Sequence, residues 1–376
     1  MNASKYGDVD IIILLLHNGA NIESHNNDGW TSLMFASVGG HLDVVRLLLQ
    51  SGADGANHIN DGPTPLMLAS KSGHIDIIRL LLQNGANVES HDCDGWTSLM
   101  FASKHGHVDI TRSLLQNGAN IESHGSDGAT PLMIASSHGH PDIVRLLLQS
   151  GADVDTHTSH GWTPLMSASQ NGRIDIIRLL LQNGANVESH DCDGWTSLMF
   201  ASRHGDVDTI RFLLQNGANI ELHDSDGWTP LMIASLRGQD IVRLLLQSGA
   251  TVDSRRDDGA TALTIASSYG SMDIVRLLLQ NGADVGSHYN DGATSLAIAS
   301  YHGHIDIVRL MLENGAALEA HINNSRTPLM LASQQGHADI VHLLLQSGAV
   351  VDLYNQRDST TSSGESPFRS DARLTI

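Results

Sequence analysis

The sequence repeats itself with a period of 33 residues over nearly all of its 376 residues. One pair of residues, usually Asp-Gly, marks the same turn in every repeat, and a single 32-residue step falls near residues 238–240. The pairs begin at Asp28, Asp61, Asp94, Asp127, His160, Asp193, Asp226, Asp258, Asp291 and Asn324. A fixed period of this size indicates a solenoid of stacked repeats instead of a domain with one closed core.

Each repeat contains the signals for two short helices, as residues 127–159 show. Thr130 is a good N-cap for a first helix, which Gly139 ends as a left-handed cap. A second helix begins near Asp142, whose carboxylate favours the positive end of the helix dipole, and Gly151 stops it. Two helices of this length bury their apolar faces only by stacking on neighbouring repeats, so we predict an all-α array.

Charge and cysteine usage restrict the partners and the compartment. The formal net charge of −20 excludes nucleic acid or an anionic membrane as the main partner, because phosphate binding needs a basic face. No stretch has the length of a signal peptide or membrane span. Cys93 and Cys192 lie three repeats apart, beyond the limit of about 7 Å between Cα atoms for a disulfide. Free thiols fit a reducing compartment, so we predict a cytoplasmic protein.

No group of residues stands apart from the repeat as a catalytic or cofactor site, so we predict neither an enzyme nor a bound cofactor. Histidine is unusually frequent, and nine of the 22 histidines form a ladder at one loop position: His25, His58, His91, His124, His157, His190, His223, His288 and His321. Rungs about 10 Å apart do not converge on one ion. We therefore interpret the ladder as a solvated polar edge, with metal binding as the weaker alternative.

The tryptophans are the best candidates for a binding surface. All five follow the turn pair directly: Trp30, Trp96, Trp162, Trp195 and Trp228. A helical wheel at about 100° per residue directs a second row away from the core leucines. The aromatic members of this row are Phe35, Phe101 and Phe200, and the others are Leu68, Ile134, Ser167, Ile233, Ile265, Ile298 and Leu331.

Two explanations of these rows remain open. An outward apolar row beside a tryptophan row predicts a surface that binds a partner protein. Alternatively, the same side chains pack sideways on neighbouring helices about 10 Å away.

The repeat resembles the ankyrin repeat. The family pattern is matched by Asp127-Gly128, Thr130-Pro131-Leu132-Met133, Ala135-Ser136, Gly139-His140, Ile143-Val144, Leu146-Leu147-Leu148 and Gly151-Ala152-Asp153-Val154. The sequence departs from the family at two positions. The histidine that follows the leucine is replaced by Met in eight repeats, and the second alanine is Ser throughout. Because methionine can only pack where the family's histidine bonds, we expect softer coupling between repeats.

The resemblance implies an all-α ankyrin-repeat solenoid, with helix-turn-helix-hairpin units stacked into a curved array. We predict a partial repeat over residues 1–27, ten repeats over 28–356 and a disordered Ser/Thr-rich tail over 357–376. The family places the tryptophan position on a hairpin finger beside the concave groove, where partners often bind.

The resemblance also implies a function. A non-enzymatic, monomeric scaffold that binds a partner protein along the groove is the leading hypothesis. The alternative is a targeting or regulatory segment of a larger enzyme or receptor. It arises because Ala3-Ser4 matches Ala36-Ser37, so that the first repeat lacks its hairpin.

Overall fold

The computed structural model describes residues 1–55, 62–320, 322 and 326–351. It divides the chain into two compact bodies, an N-terminal body (Met1–Ala218) and a C-terminal body (Asn219–Ile376). Several features of the sequence lie outside the described residues: the predicted tail at 357–376, the ladder positions His58 and His321, and the turn residues Asp61 and Asn324-Ser325.

The described residues form helices joined by turns and isolated β-bridges, without a β-strand. The helices of the N-terminal body are α1 (Asn2–Tyr6), α2 (Val9–His17), α3 (Ser32–Gly39), α4 (Leu42–Gln50), α5 (Pro65–Ser72), α6 (Ile75–Gln83), α7 (Ser98–His105), α8 (Val108–Gln116), α9 (Pro131–His138), α10 (Pro141–Gln149), α11 (Pro164–Gln170), α12 (Ile174–Gln182), α13 (Ser197–His204) and α14 (Val207–Gln215). Those of the C-terminal body are α15 (Pro230–Ala234), α16 (Gln239–Gln247), α17 (Ala262–Ser268), α18 (Met272–Gln280), α19 (Ser295–His302), α20 (Ile305–Glu313), α21 (Pro328–Gln335) and α22 (Ala338–Gln346).

The first helix of each repeat begins as the sequence predicts. In α9, the Thr130 hydroxyl accepts a hydrogen bond of 3.4 Å from the Met133 N–H, and Gly139 ends the helix in the left-handed region. The serine that replaces the family's second alanine is buried in nine of the ten full repeats. The hydroxyls of Ser37, Ser103 and Ser169 have no hydrogen-bond partner within the described structure, whereas the other six donate back to the preceding turn. Ser136, for example, donates to the Leu132 carbonyl oxygen over 2.7 Å. This bond satisfies a hydroxyl that burial would otherwise leave without a partner.

Methionine does more than pack at the position of the family's histidine. The Thr31 and Thr64 N–H groups donate to the sulfur atoms of Met34 and Met67 over 3.5 and 3.4 Å. The expectation that methionine only packs here was therefore wrong for these two repeats. A thioether is a weak acceptor, but it reaches the same free N–H at the helix start that a capping side chain would satisfy.

A different histidine ties neighbouring repeats together. It precedes the second helix, and its Nε2 atom lies within hydrogen-bond distance of a carbonyl oxygen in the first helix of the preceding repeat. The pairs are His41–Lys5 (3.0 Å), His74–Val38 (3.2 Å), His107–Lys71 (3.3 Å), His140–Lys104 (2.9 Å), His304–Ser268 (3.2 Å) and His337–Tyr301 (3.0 Å). These contacts oppose the softening of the stack that the loss of the other histidine predicted.

Close packing accompanies these bonds. The His140 ring lies against Gly106, where a Cβ atom would approach the imidazole to 2.8 Å. Gly106 also has a φ of 79°, so glycine is required both for the turn and for the contact. One joint between repeats thus explains the Gly-His pair that recurs in six of them.

Carboxylates form a second set of ties between repeats. The Glu23 Oε1 atom accepts from the Asp54 N–H over 2.9 Å, and Glu89 and Glu122 accept in the same way from Asn120 and Asp153. Within the C-terminal body, Glu221 accepts from the Thr251 N–H over 2.7 Å. Each bond joins the loop after the second helix of one repeat to the corresponding loop of the next repeat.

Candidate protein-interaction surface

A local hydrogen bond holds each tryptophan at the base of its hairpin. The Trp30 N–H donates to Asn26 Oδ1 over 2.8 Å, and the Trp96 N–H donates to Asp92 Oδ1 over the same distance. Trp195 and Trp228 are held by Asp191 and Asp224 in the same way, and Trp162 by the Thr158 hydroxyl. In each case the donor is the backbone N–H of the tryptophan. A short polar side chain four residues earlier therefore holds the backbone from which the ring projects.

The two rows predicted from the sequence meet, because tryptophan rings pack against phenylalanine rings of the following first helix. The ring centroids of Trp30 and Phe35 are 5.1 Å apart, and those of Trp96 and Phe101 are 5.3 Å apart. Both pairs are tilted, an arrangement that aromatic rings favour. All four side chains are half-buried, so each pair offers part of its surface to solvent.

The non-aromatic members of the outward row are buried instead of exposed. Leu68, Ile134, Ser167, Ile233, Ile265, Ile298 and Leu331 are all buried. Within each body, the first helices of adjacent repeats pack against one another, which a wheel drawn for one helix omits. For these positions the structure supports the sideways-packing alternative.

Phe200 and Trp228 also offer little surface to a partner. Phe200 is only 4% exposed because it is enclosed by Trp162 and Trp195, with ring centroids at 4.7 and 5.1 Å. Trp228 is 6% exposed, and the Arg256 guanidinium lies 4.7 Å from its ring. Trp162 and Trp195 themselves are half-buried. Six of the eight predicted site residues thus remain accessible.

Cations beside the tryptophans were not anticipated from the sequence. The Lys104 Nζ atom lies 5.0 Å from the Trp96 ring centroid, and the Arg203 guanidinium lies 5.8 Å from that of Trp195. Both residues occupy the last turn of a first helix, at the same position of their repeats. The sequence therefore did contain a signal for these contacts. Cation–π contacts of this kind keep a positive charge beside the aromatic surface.

Two histidines at the ends of first helices have altered proton affinity. His105 and His107 stack with ring centroids 6.2 Å apart, and His302 and His304 with centroids 6.0 Å apart. Partial desolvation, followed by the charges of His107, Lys104, Lys71 and His138, lowers the pKa of His105. Desolvation, followed by the charges of His304 and His337, lowers the pKa of His302. Both imidazoles therefore favour the neutral form in the folded chain.

Acidification should destabilise the protein through these two histidines. A lowered folded-state pKa means that the unfolded chain takes up the proton first. The two neutral histidines therefore make their full contribution to the free energy of unfolding above the unfolded pKa of about 6.5. That contribution is lost as pH falls through the folded-state pKa. We expect the urea midpoint of a His105→Gln/His302→Gln variant to fall less than that of the wild type between about pH 7 and 5. Above about pH 7.5 the two curves should run parallel, and parallel curves throughout would contradict the assignment.

The described histidines of the ladder make local contacts. His25 Nδ1 lies 3.2 Å from the Asn26 carbonyl oxygen, and the ladder histidines at 91, 124, 157, 190, 223 and 288 make the equivalent contact. Within the described part of the chain, no three His, Cys, Asp or Glu side chains are placed to hold a metal ion. Beside the ladder, burial raises the pKa of Asp191, whose carboxylate accepts the hairpin N–H groups described above.

Pairs of helices closed by hairpins and repeated with a common register define a helical repeat protein. A family model for ankyrin repeats (3 copies) matches residues 1–92, 84–158, 119–191, 151–224, 198–289 and 282–355. The chain belongs to the ankyrin repeat family, and its fold is the all-α solenoid that the sequence predicted. Ankyrin repeats generally mediate protein–protein interaction and are typically not catalytic. The comparison with curated proteins found no match. Over residues 1–55, 62–320 and 326–351, no helix has the length and apolar character that a membrane span requires.

Proposed function

We propose that this chain is a non-enzymatic scaffold that binds a partner protein along the groove beside its hairpins. The observation that carries the proposal is the accessible Trp–Phe pair, which occurs at Trp30–Phe35 and at Trp96–Phe101. Large aromatic side chains that are rigidly held and partly exposed are the usual anchors of protein interfaces. The scaffold acts as a cytoplasmic monomer.

The remaining site residues contribute unequally. Trp162 and Trp195 present their outer edges to a partner while their inner faces cover Phe200. Phe200 and Trp228 support the surface from within, because each is almost fully buried. No observation favours the alternative of a regulatory segment within a larger enzyme.

Replacing Trp96 by alanine should weaken partner binding with little effect on stability. The ring is half-buried and lies beside Phe101 and Lys104, so we expect its loss to cost less than that of a fully buried ring. An interface anchor of this type contributes about 2 kcal/mol or more to binding, equivalent to about thirtyfold in affinity. The measurement is quantitative capture of partners by the immobilised wild type and variant, together with the urea midpoint of each.

Trp162→Ala is the matched control, since it removes the same residue type from a position that covers Phe200. It should lower the unfolding midpoint clearly more than Trp96→Ala. The proposal is wrong if Trp96→Ala reduces capture only in proportion to the folded fraction.

A further inference from the structure

The lysines of the chain have an unusual distribution. There are only three, and Lys5, Lys71 and Lys104 all lie in the last turn of a first helix. None of the described first helices contains Asp or Glu, although the chain holds 41 acidic residues. The lysines therefore lie on helices that carry no carboxylate of their own, within a strongly acidic protein.

The fold brings two of the lysines together with histidines. The His107 Nε2 atom lies 3.3 Å from the Lys71 carbonyl oxygen, so the last turn of α5 contacts the residue that precedes α8. His105 stacks on His107, and the charges of Lys71, Lys104 and His138 all act on the His105 ring. We call Lys71, Lys104, His105, His107 and His138 the basic cluster.

The basic cluster is continuous with the Trp96–Phe101 pair. Lys104 belongs to both, because its Nζ atom lies 5.0 Å from the Trp96 ring centroid. Lys71 is exposed and Lys104 is half-buried, and within the described residues neither ammonium group forms an ion pair with a carboxylate. A partner can therefore meet an aromatic edge and two cations on one surface.

Helix capping alone does not account for the cluster. A cation in the last turn of a helix interacts favourably with the helix dipole, and the effect is small on an exposed surface. The equivalent positions in nearby repeats are Val38, Ser137 and Gln170, so the fold does not require a cation there. Arg203 holds this position in α13, but only α5 and α7 place two lysines on adjacent first helices.

We propose that the basic cluster and the Trp96–Phe101 pair together bind an acidic segment of the partner protein. The segment would place Asp or Glu carboxylates on Lys71 and Lys104 and an apolar side chain on the Trp96 edge. The net charge of −20 repels long polyanions, which restricts the ligand to a short acidic stretch that stays on the cluster. This inference rests on the proposed function and specifies the chemistry of its ligand.

A designed peptide tests the proposal with the full chain. The probe is a fluorescent synthetic peptide in which Glu alternates with Phe and Leu, and its matched control has Gln in place of each Glu. Binding is measured by fluorescence anisotropy. The Glu peptide should bind more tightly than the Gln peptide, and its binding should weaken as salt is added. Lys71→Gln/Lys104→Gln should bind the Glu peptide about tenfold more weakly.

Lys5→Gln is the matched variant, because Lys5 occupies the same helical position outside the basic cluster. It should leave binding of the Glu peptide unchanged. Reductive methylation with carbon-13 gives a second readout, since the chain has only three lysine signals to follow by NMR. Those of Lys71 and Lys104 should shift when the Glu peptide is added, and that of Lys5 should not.

The possible failures are distinguishable. Equal binding of the Glu and Gln peptides, or an unchanged affinity in the double lysine variant, overturns the acidic-segment proposal. Loss of partner capture in Trp96→Ala would still support the scaffold function in that case. If Trp96→Ala also leaves partner capture intact, both proposals fail.

Discussion

Replacing Phe200 by alanine should lower the free energy of unfolding by about 3–5 kcal/mol, the cost of removing a fully packed phenylalanine. The ring is 4% exposed and lies between two tryptophans. Its removal leaves a cavity between the two indole rings, whose backbones the hairpin hydrogen bonds hold in place. Urea unfolding followed by circular dichroism measures the loss.

Phe101→Ala provides a control that few proteins offer. Residues 79–103 and 178–202 are identical in sequence, so Phe101 and Phe200 have the same local neighbours along the chain. Phe101 is half-buried, since the preceding repeat carries Pro63 where the repeat before Phe200 carries Trp162. Its replacement should therefore cost less than half as much. Equal losses in the two variants would refute this account of Phe200.

Replacing Gly259 by alanine should destabilise the protein by roughly 2–5 kcal/mol, from two separate causes. Its φ of 88° is a conformation that costs an L-residue about 1–2 kcal/mol. A Cβ atom there would also lie 2.8 Å from the Asn290 backbone nitrogen and 3.0 Å from the His288 carbonyl oxygen. Backbone atoms of the next hairpin cannot move aside as a side chain can, so overpacking adds about 1–3 kcal/mol.

Gly282→Ala separates the two causes. Gly282 has a nearly equal φ of 85°, but a Cβ atom there would meet nothing within 4 Å. This variant should show the conformational cost alone. The difference between the two urea midpoints then measures the hairpin contact, and a difference close to zero would show that the contact is not tight.

Much of the local structure could be predicted from the sequence. Thr130 and Gly139 predicted the ends of one helix, and α9 spans Pro131–His138 with Gly139 as its cap. Asp142 marked the second helix, and α10 begins one residue before it. These signals succeed because capping and turn formation involve residues close along the chain.

The environment of the candidate site could not be predicted in the same way. A helical wheel correctly turned Ile298 away from the core leucines of its own helix, yet the residue is fully buried by its neighbours. The contact between His140 and the Lys104 carbonyl spans 36 residues, so no local pattern reveals it. Exposure and coupling between repeats depend on which side chains the adjacent repeats supply.

The identical segments that contain Phe101 and Phe200 also bear on how such an array can diversify. Copying a block of repeats duplicates its side chains but gives the copy new neighbours. One phenylalanine is then enclosed and constrained by packing, while its twin stays accessible and can change without loss of the fold. A repeat protein of this kind can acquire a new recognition surface at one copy while the other preserves the original packing.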